Sequence, residues 1–117
     1  MSVSVPLFSW PVRVYYENTD AGGVVYHSNY LTFMERARTE FLRSRGVELS
    51  LLEQEARVLF AVRSVSVDFR APARLDDLLE VTVDIKDIRP ASLTFLQSVR
   101  RADRILCEAD VRVAALS

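Results

Sequence analysis

The sequence contains one long helical pattern of apolar residues, and its other patterns alternate apolar and polar residues as strands do. This combination restricts the possible folds more than any other feature of the chain. Between residues 30 and 42, apolar side chains recur at the three- and four-residue spacing of a helix face. This helix is predicted to begin near residues 27–29, and Gly46 is placed to end it. After residue 57 the period becomes two through the rest of the chain. A single apolar helix stripe needs a broad sheet to cover it, so we predict an α+β fold with one antiparallel sheet around one helix.

The strands are predicted from alternation and from the breaks between them. A half-buried strand covers residues 8–16, and Pro11 places its beginning at an edge or an irregular position. A change of parity at Arg63 and Ser64 predicts a β-bulge in a later strand. The remaining predicted elements are a short helical turn at residues 50–55 and strands at residues 58–69, from 79 to near Pro90, at 93–101 and at 104–115, with a tight turn at Ala102 and Asp103.

Length and composition predict one ordinary globular domain over residues 1–117. The chain has 117 residues, half of them hydrophobic and a quarter charged. A domain of this size buries about two-thirds of the surface of its unfolded chain, which allows a core without metals or disulfides. The formal net charge of -1 gives no broad basic field that would attract nucleic acid or an acidic membrane. We therefore expect no nucleic-acid partner.

Cysteine content and the N-terminal segment favour a cytoplasmic protein. Cys107 is the only cysteine, so no disulfide can form within the chain, and its alternating neighbours predict a buried side chain. With a single histidine as well, too few ligands remain for a metal site. The first ten residues lack the basic and apolar regions of a secretory signal. The longest apolar run, residues 58–62, is too short to span a bilayer.

The most informative segment for chemistry runs from residue 15 to residue 45. Asp20 follows the first strand, and Gly22 and Gly23 permit turn angles that other side chains disfavour. The helix begins near His27, where its first N–H groups lack partners and carry partial positive charge. A carboxylate beside such amides can attack a carbonyl, or direct water at it, while the amides polarise its oxygen. On spacing alone, Asp20 is explained more simply as a turn residue that accepts backbone hydrogen bonds.

The block TDAGGVVYHSNYLTFMERART and the segment FRAPARLDD at residues 69–77 resemble hotdog-fold thioesterases of the 4-hydroxybenzoyl-CoA thioesterase family. The likeness is closer to the bacterial acyl-CoA thioesterases associated with the Tol–Pal system, and it covers nearly the whole chain. It implies a hotdog fold, with a five-stranded antiparallel sheet around one long helix. It also implies a homodimer or homotetramer whose sheets join across a dimer, with active sites at the subunit interface. The implied reaction is hydrolysis of acyl-CoA to free acid and CoA, with no cofactor other than the CoA of the substrate.

The same resemblance implies roles for individual residues. Asp20 occupies the position of the catalytic aspartate, which acts as nucleophile or as general base for water. His27 lies where a backbone N–H polarises the thioester carbonyl, and its imidazole either assists or merely packs. Substrate contacts are expected at Gly23, Val24, Tyr26 and Asn29, and the candidates for contact with CoA are Arg70, Arg74 and Arg89.

Several alternatives stay open at this point. Glu35 and Glu40 are rival carboxylates, because a second branch of hotdog thioesterases uses an acid in the long helix. Ion pairs with nearby arginines are the simpler explanation for both glutamates. The acyl group could be carried by an acyl carrier protein instead of CoA, or the chain could be a silent module that binds acyl thioesters. Asp20 beside paired glycines argues against a silent module, and Asp76 and Asp77 are predicted to form a structural turn.

Overall fold

The structure is a computed structural model that describes residues 5–116. Residues 1–4 and 117 lie outside the described part, and with them part of the segment interpreted as lacking a secretory signal. Within residues 5–116, no helix is long and apolar enough to span a membrane. The elements are β1 (Phe8–Arg13), α1 (His27–Ser44), α2 (Leu49–Leu51, followed by a wider turn at Leu52–Ala56), β2 (Leu59–Phe69), β3 (Leu78–Arg89), β4 (Ser92–Arg101) and β5 (Arg104–Leu116).

The five strands form one antiparallel sheet in the order β1-β3-β4-β5-β2. Strands β3, β4 and β5 are joined by hairpins and occupy the centre of the sheet. Strand β1 pairs with β3 at one edge, and β2 pairs with β5 at the other. A register shift at Arg63 confirms the predicted β-bulge in β2. The predicted sheet with one long helix packed on it is therefore confirmed.

The core lies between α1 and the face of the sheet that the helix covers. Fully burying one large apolar side chain contributes about 1.5–3 kcal/mol, so this layer dominates the stability of the fold. Cys107 is among its fully buried residues, as the alternation of β5 predicts. The buried residues of α1 are Tyr30, Phe33, Met34, Ala37 and Phe41, and they meet Leu79, Val81, Val83, Phe95, Val99, Leu106, Ala109 and Val111 of the sheet.

Gln97 is a buried polar residue in this core, and its amide is fully bonded. Its Nε2 donates to the main-chain oxygens of Met34 at 3.0 Å and Thr82 at 3.3 Å. Its Oε1 accepts from Nη1 of Arg38 at 2.8 Å. A buried amide without partners would destabilise the fold by about 1–3 kcal/mol. These contacts therefore fix α1 against the centre of the sheet without leaving a polar group unsatisfied.

The end of α1 matches the prediction. Gly46 has a φ of +81°, in the left-handed region that favours glycine. Its N–H donates to the carbonyl of Arg43 at 3.0 Å, and the N–H of Val47 donates to the carbonyl of Leu42 at 2.9 Å. This pair of contacts is the common glycine-closed helix end, and it satisfies two carbonyls that the helix leaves free.

Strand β1 ends earlier than predicted. The alternation favoured a strand through residue 16, whereas β1 ends at Arg13 and Tyr16–Asn18 forms a single 3₁₀ turn. The physical reason is a side-chain contact, because Oδ1 of Asn18 accepts the N–H of Tyr15 at 2.9 Å. Asparagine side chains often compete in this way for backbone donors that a strand would otherwise use. The prediction for residues 14–16 was therefore wrong.

Candidate active site

Asp20 lies at the turn of a small hairpin between β1 and α1. The N–H of Asp20 donates to the carbonyl of Val24 at 2.9 Å, and the N–H of Gly23 donates back to the carbonyl of Asp20 at 3.1 Å. Thr19 and Val25 pair at the base of the hairpin. Gly23 has a φ of +78°, which a side chain would strain. The predicted turn at the paired glycines is confirmed, and it presents Asp20 at its tip.

The carboxylate of Asp20 is exposed and oriented by its own turn. Its Oδ1 accepts the N–H of Gly22 at 2.8 Å, which is the contact that the spacing alone predicts. Among residues 5–116, no arginine or lysine forms an ion pair with this carboxylate. One oxygen is thus held by the turn while the other has no protein partner in that part of the chain.

A cavity of about 330 Å³ opens beside the hairpin. Three segments form its walls: the hairpin itself, the first turn of α1, and the end of β2 with the residues that follow. The wall is mixed in character, since a carboxylate, an imidazole and a guanidinium stand among apolar side chains. The lining residues are Asp20, Val24, Val25, Tyr26, His27, Tyr30, Phe69, Arg70, Ala71 and Pro72.

Helix α1 begins at this cavity. Tyr26 is extended and precedes the helix, and its carbonyl accepts the N–H of Asn29 at 2.9 Å. The N–H groups of His27 and Ser28 have no acceptor in the described chain, as is usual for a first helical turn. The aligned peptide dipoles add partial positive charge at this end. The helix start can therefore donate hydrogen bonds to an anionic or carbonyl oxygen held near Asp20.

The imidazole of His27 packs against aromatic rings. Its centroid lies 5.1 Å from that of Phe69, edge to face, and 5.9 Å from that of Tyr26. Phe69 also contacts Tyr30, at 5.5 Å. The side chain of His27 thus forms part of an aromatic wall, and a chemical role for the imidazole stays a prediction.

The segment after β2 forms the opposite wall and is bonded to both α1 and the hairpin. The hydroxyl oxygen of Tyr30 accepts the N–H of Ala73 at 2.9 Å. The carbonyl of Ala73 accepts the N–H of Val25 at 2.9 Å, and the N–H of Leu75 donates to the carbonyl of Gly23 at 3.3 Å. Burial raises the pKa of Tyr30, and the Ala73 N–H offsets this only in part. Tyr30 therefore keeps its proton at neutral pH and acts here as a structural acceptor.

Asp76 and Asp77 form the predicted structural turn. Oδ2 of Asp77 accepts the N–H of Arg74 at 2.9 Å and Nη1 of Arg101 at 2.7 Å. Burial opposes ionisation of Asp77, but these two donors outweigh it and lower the pKa of the carboxyl. Asp76 has a φ of +70°, and its carbonyl accepts Nη1 of Arg13 at 2.8 Å. Within residues 5–116, no group of three or more histidine, cysteine, aspartate or glutamate side chains could hold a metal ion.

Comparison with known proteins identifies the family of this chain. A sequence profile described as the thioesterase superfamily matches residues 22–111. The chain belongs to this superfamily. The acyl-CoA thioester hydrolase YbgC of Escherichia coli is 50% identical over 115 residues, which cover 97% of this chain and 85% of that protein. The acyl-CoA thioesterase YbgC of Haemophilus influenzae is 46% identical over 109 residues, which cover 93% and 80%.

Solved structures of thioesterases share the fold. A probable thioesterase from Bartonella henselae superposes with a TM-score of 0.90 at 35% identity, covering 93% of this chain and 90% of that one. A 1,4-dihydroxy-2-naphthoyl-CoA thioesterase from Synechocystis superposes with a TM-score of 0.88 at 24% identity, covering 94% and 82%. The predicted hotdog fold is therefore confirmed.

The structure brings most of the predicted site residues to the cavity of this thioesterase-superfamily protein. Gly23 lies outside the lining but sets the hairpin turn, and Arg74 pairs with Val24 at the hairpin edge. Asn29 does not line the cavity, since its Oδ1 accepts Nδ2 of Asn18 at 3.0 Å. The predicted residues that do line it are Asp20, Val24, Tyr26, His27 and Arg70.

Two of the arginines predicted to contact CoA are already in ion pairs. Nε of Arg70 donates to Asp68 at 2.9 Å, although Arg70 lines the cavity. Nε of Arg89 donates to Asp87 at 2.9 Å in the turn between β3 and β4. That turn adjoins the C-terminal end of β5, whereas the cavity adjoins its N-terminal end. Within one chain, Arg89 therefore lies at the opposite end of the sheet from the cavity.

Sequence reasoning predicted Val24 and Tyr26 but missed most of the other apolar lining residues. Tyr30 was assigned only to the core stripe of α1, and the second family-like block received no site role apart from its arginines. The sequence did contain a signal for them. Two separate blocks resemble the same family and are spaced as in that family, which indicates that both blocks line one site. The lining residues missed were Val25, Tyr30, Phe69, Ala71 and Pro72.

A second groove of about 270 Å³ runs between α1 and the helix-facing side of β2, β4 and β5. Glu35, one of the two rival carboxylates, lies in this groove and not in the cavity beside Asp20. Glu40, the other rival, pairs with Arg43 on the helix surface, as predicted. Neither glutamate of α1 therefore meets the cavity within one chain. The groove is lined by Glu35, Arg38, Thr39, Leu42, Leu49, Phe60, Val62, Leu93, Phe95 and Val113.

Proposed function

We propose that this protein hydrolyses acyl-CoA thioesters to free acid and CoA, with Asp20 as the reacting carboxylate. The observation that carries this proposal is the shared cavity, which Asp20 and His27 at the start of α1 line together. The 50% identity to the E. coli acyl-CoA thioester hydrolase supports the substrate class. The cavity volume of about 330 Å³ suits part of such a substrate and leaves the rest of it outside.

In the proposed reaction, the thioester oxygen accepts hydrogen bonds from the N–H groups at the start of α1. Negative charge develops on this oxygen as the carbonyl carbon is attacked, and donors already in place stabilise it. Loss of one such donor typically raises the barrier by about 3–4 kcal/mol. The backbone N–H of His27 therefore makes the main electrostatic contribution to stabilising the transition state, and this contribution does not depend on the imidazole.

Asp20 supplies the attack on the carbonyl carbon by one of two routes. As nucleophile, its carboxylate displaces the CoA thiolate to form a mixed anhydride, which water then cleaves to the free acid and the regenerated aspartate. As general base, it takes a proton from the water that attacks the carbon directly. In both routes the C–S bond breaks, and the departing thiolate takes up a proton to give CoA.

Release of free thiol from a substrate panel tests this function. The panel contains short-chain, long-chain and aromatic acyl-CoAs, together with an acyl group carried on acyl carrier protein. We expect turnover of at least one class of acyl-CoA, and the preferred class would define the substrate. If only the substrate on acyl carrier protein is turned over, that protein and not CoA carries the acyl group. No turnover of any substrate would overturn hydrolysis in favour of a binding module.

We further propose that two copies of the chain pair along β2. Strand β2 is an edge of the sheet, and its helix-facing apolar side chains are exposed, with Val62 at 51% and Phe69 at 45%. An uncovered apolar edge strand promotes self-association, and proteins normally cover it. A second copy would continue the sheet through its own β2, and its own α1 would cover these side chains.

Antiparallel pairing of two β2 strands would also complete the site. It places the Phe69 end of one strand against the Leu59 end of its partner. The cavity beside Asp20 lies at the Phe69 end, and the second groove includes Phe60 and Val62 near the other end. Each cavity would then open toward the groove of the partner, whose largely apolar walls suit an acyl chain.

Molar mass in solution tests the pairing. Light scattering after size exclusion is expected to give twice the 13.3 kDa of one chain, or four times if dimers pair. Val65→Lys should produce monomers, because Val65 faces the side that the partner covers. Ser66→Lys is the matched control, since Ser66 is adjacent and faces the opposite side of the sheet. An active wild-type monomer would contradict the shared site.

We also propose a cytoplasmic location for the protein. The single cysteine, Cys107, is a buried free thiol. A reducing compartment keeps such thiols unpaired. Fractionation of cells that express the tagged protein tests this location, and recovery from an extracytoplasmic fraction would contradict it.

A further inference from the structure

We infer that Asn18 and Asn29 position the Asp20 hairpin relative to the start of α1, an inference that rests on the role proposed for Asp20. Nδ2 of Asn18 donates to Oδ1 of Asn29 at 3.0 Å, and the contact is partly buried. Asn18 immediately precedes the hairpin, and Asn29 is the third residue of α1. The two amides therefore join the element that carries the carboxylate to the element that carries the free N–H groups.

A backbone contact determines the orientation of both amides. The N–H of Tyr15 donates to Oδ1 of Asn18 at 2.9 Å. A backbone N–H can only donate, so Asn18 must direct its oxygen to Tyr15 and its Nδ2 to Asn29. Asn29 must then present its own oxygen. The main chain of Asn18 is also bonded, because its carbonyl accepts the N–H of Tyr26 at 3.0 Å. Asn18 is thus held on several sides.

The hairpin has no other hydrogen bond to α1 among residues 5–116. The carboxylate of Asp20 bonds only to Gly22 within its own turn. The other outward hydrogen bonds of the hairpin reach the segment after β2, through Val25 and Gly23, and the preceding 3₁₀ turn, where the N–H and the hydroxyl of Thr19 donate to the carbonyl of Tyr16. A shift at Asn18 would therefore move Asp20 relative to the N–H of His27. A misplacement of about 1 Å in an active site can lower the rate about 100-fold.

A positioning role and a purely structural role predict different readouts. A contact that only stabilises the fold changes the melting temperature and leaves kcat of the folded enzyme unchanged. A contact that positions the reacting groups changes kcat and leaves KM nearly unchanged, because the cavity walls that bind substrate remain in place.

Asn→Asp substitutions, made singly and together, separate these roles. In Asn18→Asp, the carboxylate still accepts from Tyr15, and Asn29 can turn its amide to donate to it. In Asn29→Asp, the carboxylate still accepts from Asn18. In the double variant, two carboxylates face each other and neither can donate a hydrogen bond to the other. We expect each single variant to keep most of the wild-type kcat and the double variant to lose about 100-fold, with a strongly non-additive effect.

A hydrogen-bonded side-chain pair elsewhere in the sheet provides a control. The hydroxyls of Thr82 and Ser98 lie 2.6 Å apart on the face of the sheet opposite α1. The double variant Thr82→Val, Ser98→Ala removes this pair far from the cavity. The same two hydroxyls also accept the N–H of Ser98 at 3.0 Å and Nε of Arg100 at 2.8 Å. The variant should therefore lower the melting temperature and leave kcat unchanged, which shows what the loss of polar contacts does away from the site.

Asp20→Asn, assayed in parallel, separates this inference from the proposed function. Wild-type activity in Asp20→Asn would overturn the role of Asp20 and the positioning inference with it. An inactive Asp20→Asn beside a folded double variant with wild-type kcat would overturn the positioning inference alone. If the double variant fails to fold, Asn29→Ala replaces it. A lower kcat in Asn29→Ala at unchanged KM, restored in Asn29→Asp, would support the inference, and an unchanged kcat would overturn it.

Discussion

The hydroxyl of Tyr30 accepts a hydrogen bond from the N–H of Ala73, a residue 43 positions later in the chain, and so joins the long helix to the far wall of the cavity. Both residues are buried. The carbonyl of Ala73 accepts from Val25 in the hairpin, so one residue bonds both neighbouring walls. The shape of the cavity therefore depends on a small number of backbone contacts around Ala73.

Tyr30→Phe is expected to destabilise the protein by about 1–3 kcal/mol, because the ring still packs but the buried N–H of Ala73 loses its acceptor. Chemical denaturation measures the free energy of unfolding. Tyr16→Phe is the control, since Tyr16 is 81% exposed and its hydroxyl is not part of the core. Equal unfolding free energies for Tyr30→Phe and the wild type would show that the contact does not hold the wall.

Gly23→Ala and Gly46→Ala are expected to strain the backbone by a similar amount and to differ in activity. Their φ angles are +78° and +81°, and an added Cβ would meet no atom within 4 Å at either position. Each substitution should therefore cost about 1–2 kcal/mol of backbone strain. Only Gly23 shapes the hairpin of Asp20, so kcat should fall in Gly23→Ala alone. Equal kcat values in both variants would contradict a sensitive hairpin.

Asp77→Asn is expected to lower the stability of the protein at pH 7. The stability of the variant should also change less than that of the wild type as the pH falls. The pKa of Asp77 is lower in the folded protein than its ordinary value, so the folded state binds fewer protons between the two values. The stabilisation is thus present above about pH 4 and is lost as the pH falls through the folded-state pKa. Melting temperatures between pH 7 and pH 2 should converge for the wild type and Asp77→Asn.

The size of this effect at pH 7 should be about 1 kcal/mol, because an asparagine oxygen can still accept from Arg74 and Arg101 and solvent screens part of the lost charge. Asp87→Asn is the matched control, because Asp87 and its partner Arg89 are both largely exposed. Such exposed pairs contribute about 0–1 kcal/mol. A constant difference in melting temperature at every pH would contradict the assigned role of the Asp77 charge.

Cys107 is expected to resist alkylation in the folded protein. Burial, with the charge of Asp68 adding to it, raises the pKa of the thiol to about 12. The thiolate is the reactive form, so little of it exists at pH 8. Mass spectrometry after iodoacetamide treatment should find labelling only when the protein is unfolded by denaturant. Equally fast labelling of the folded protein would show that Cys107 is accessible.

Local patterns in the sequence predicted the elements that depend on nearby residues alone. The face of α1, its end at Gly46 and the bulge at Arg63 leave a period, a glycine or a change of parity in the sequence. The early end of β1 leaves no such signal, because it depends on which backbone donor the side chain of Asn18 takes.

The site was predicted in part, and the division has a physical reason. Asp20 and His27 lie in one continuous block, so a resemblance in that block reaches both. Phe69 meets His27 only because β2 ends beside the start of α1, a long-range contact that periodicity does not encode. The orientation of Asn29 likewise depends on where Asn18 lies, so its spacing in the helix could not show that it faces away from the cavity.

The kcat of Asp20→Asn on an acyl-CoA that the wild type hydrolyses is the sharpest test of Asp20 as the reacting carboxylate. Asparagine has nearly the same shape and can still accept from Gly22, so the variant removes the charge and keeps the hairpin. We predict a fall in kcat of at least about 100-fold, the usual contribution of a positioned carboxylate, with an unchanged circular dichroism spectrum. Asp110→Asn is the matched control and should retain the wild-type kcat, since Asp110 pairs with Lys86 on the face of the sheet opposite α1. A wild-type kcat in Asp20→Asn would contradict the account and move the reacting carboxylate to α1.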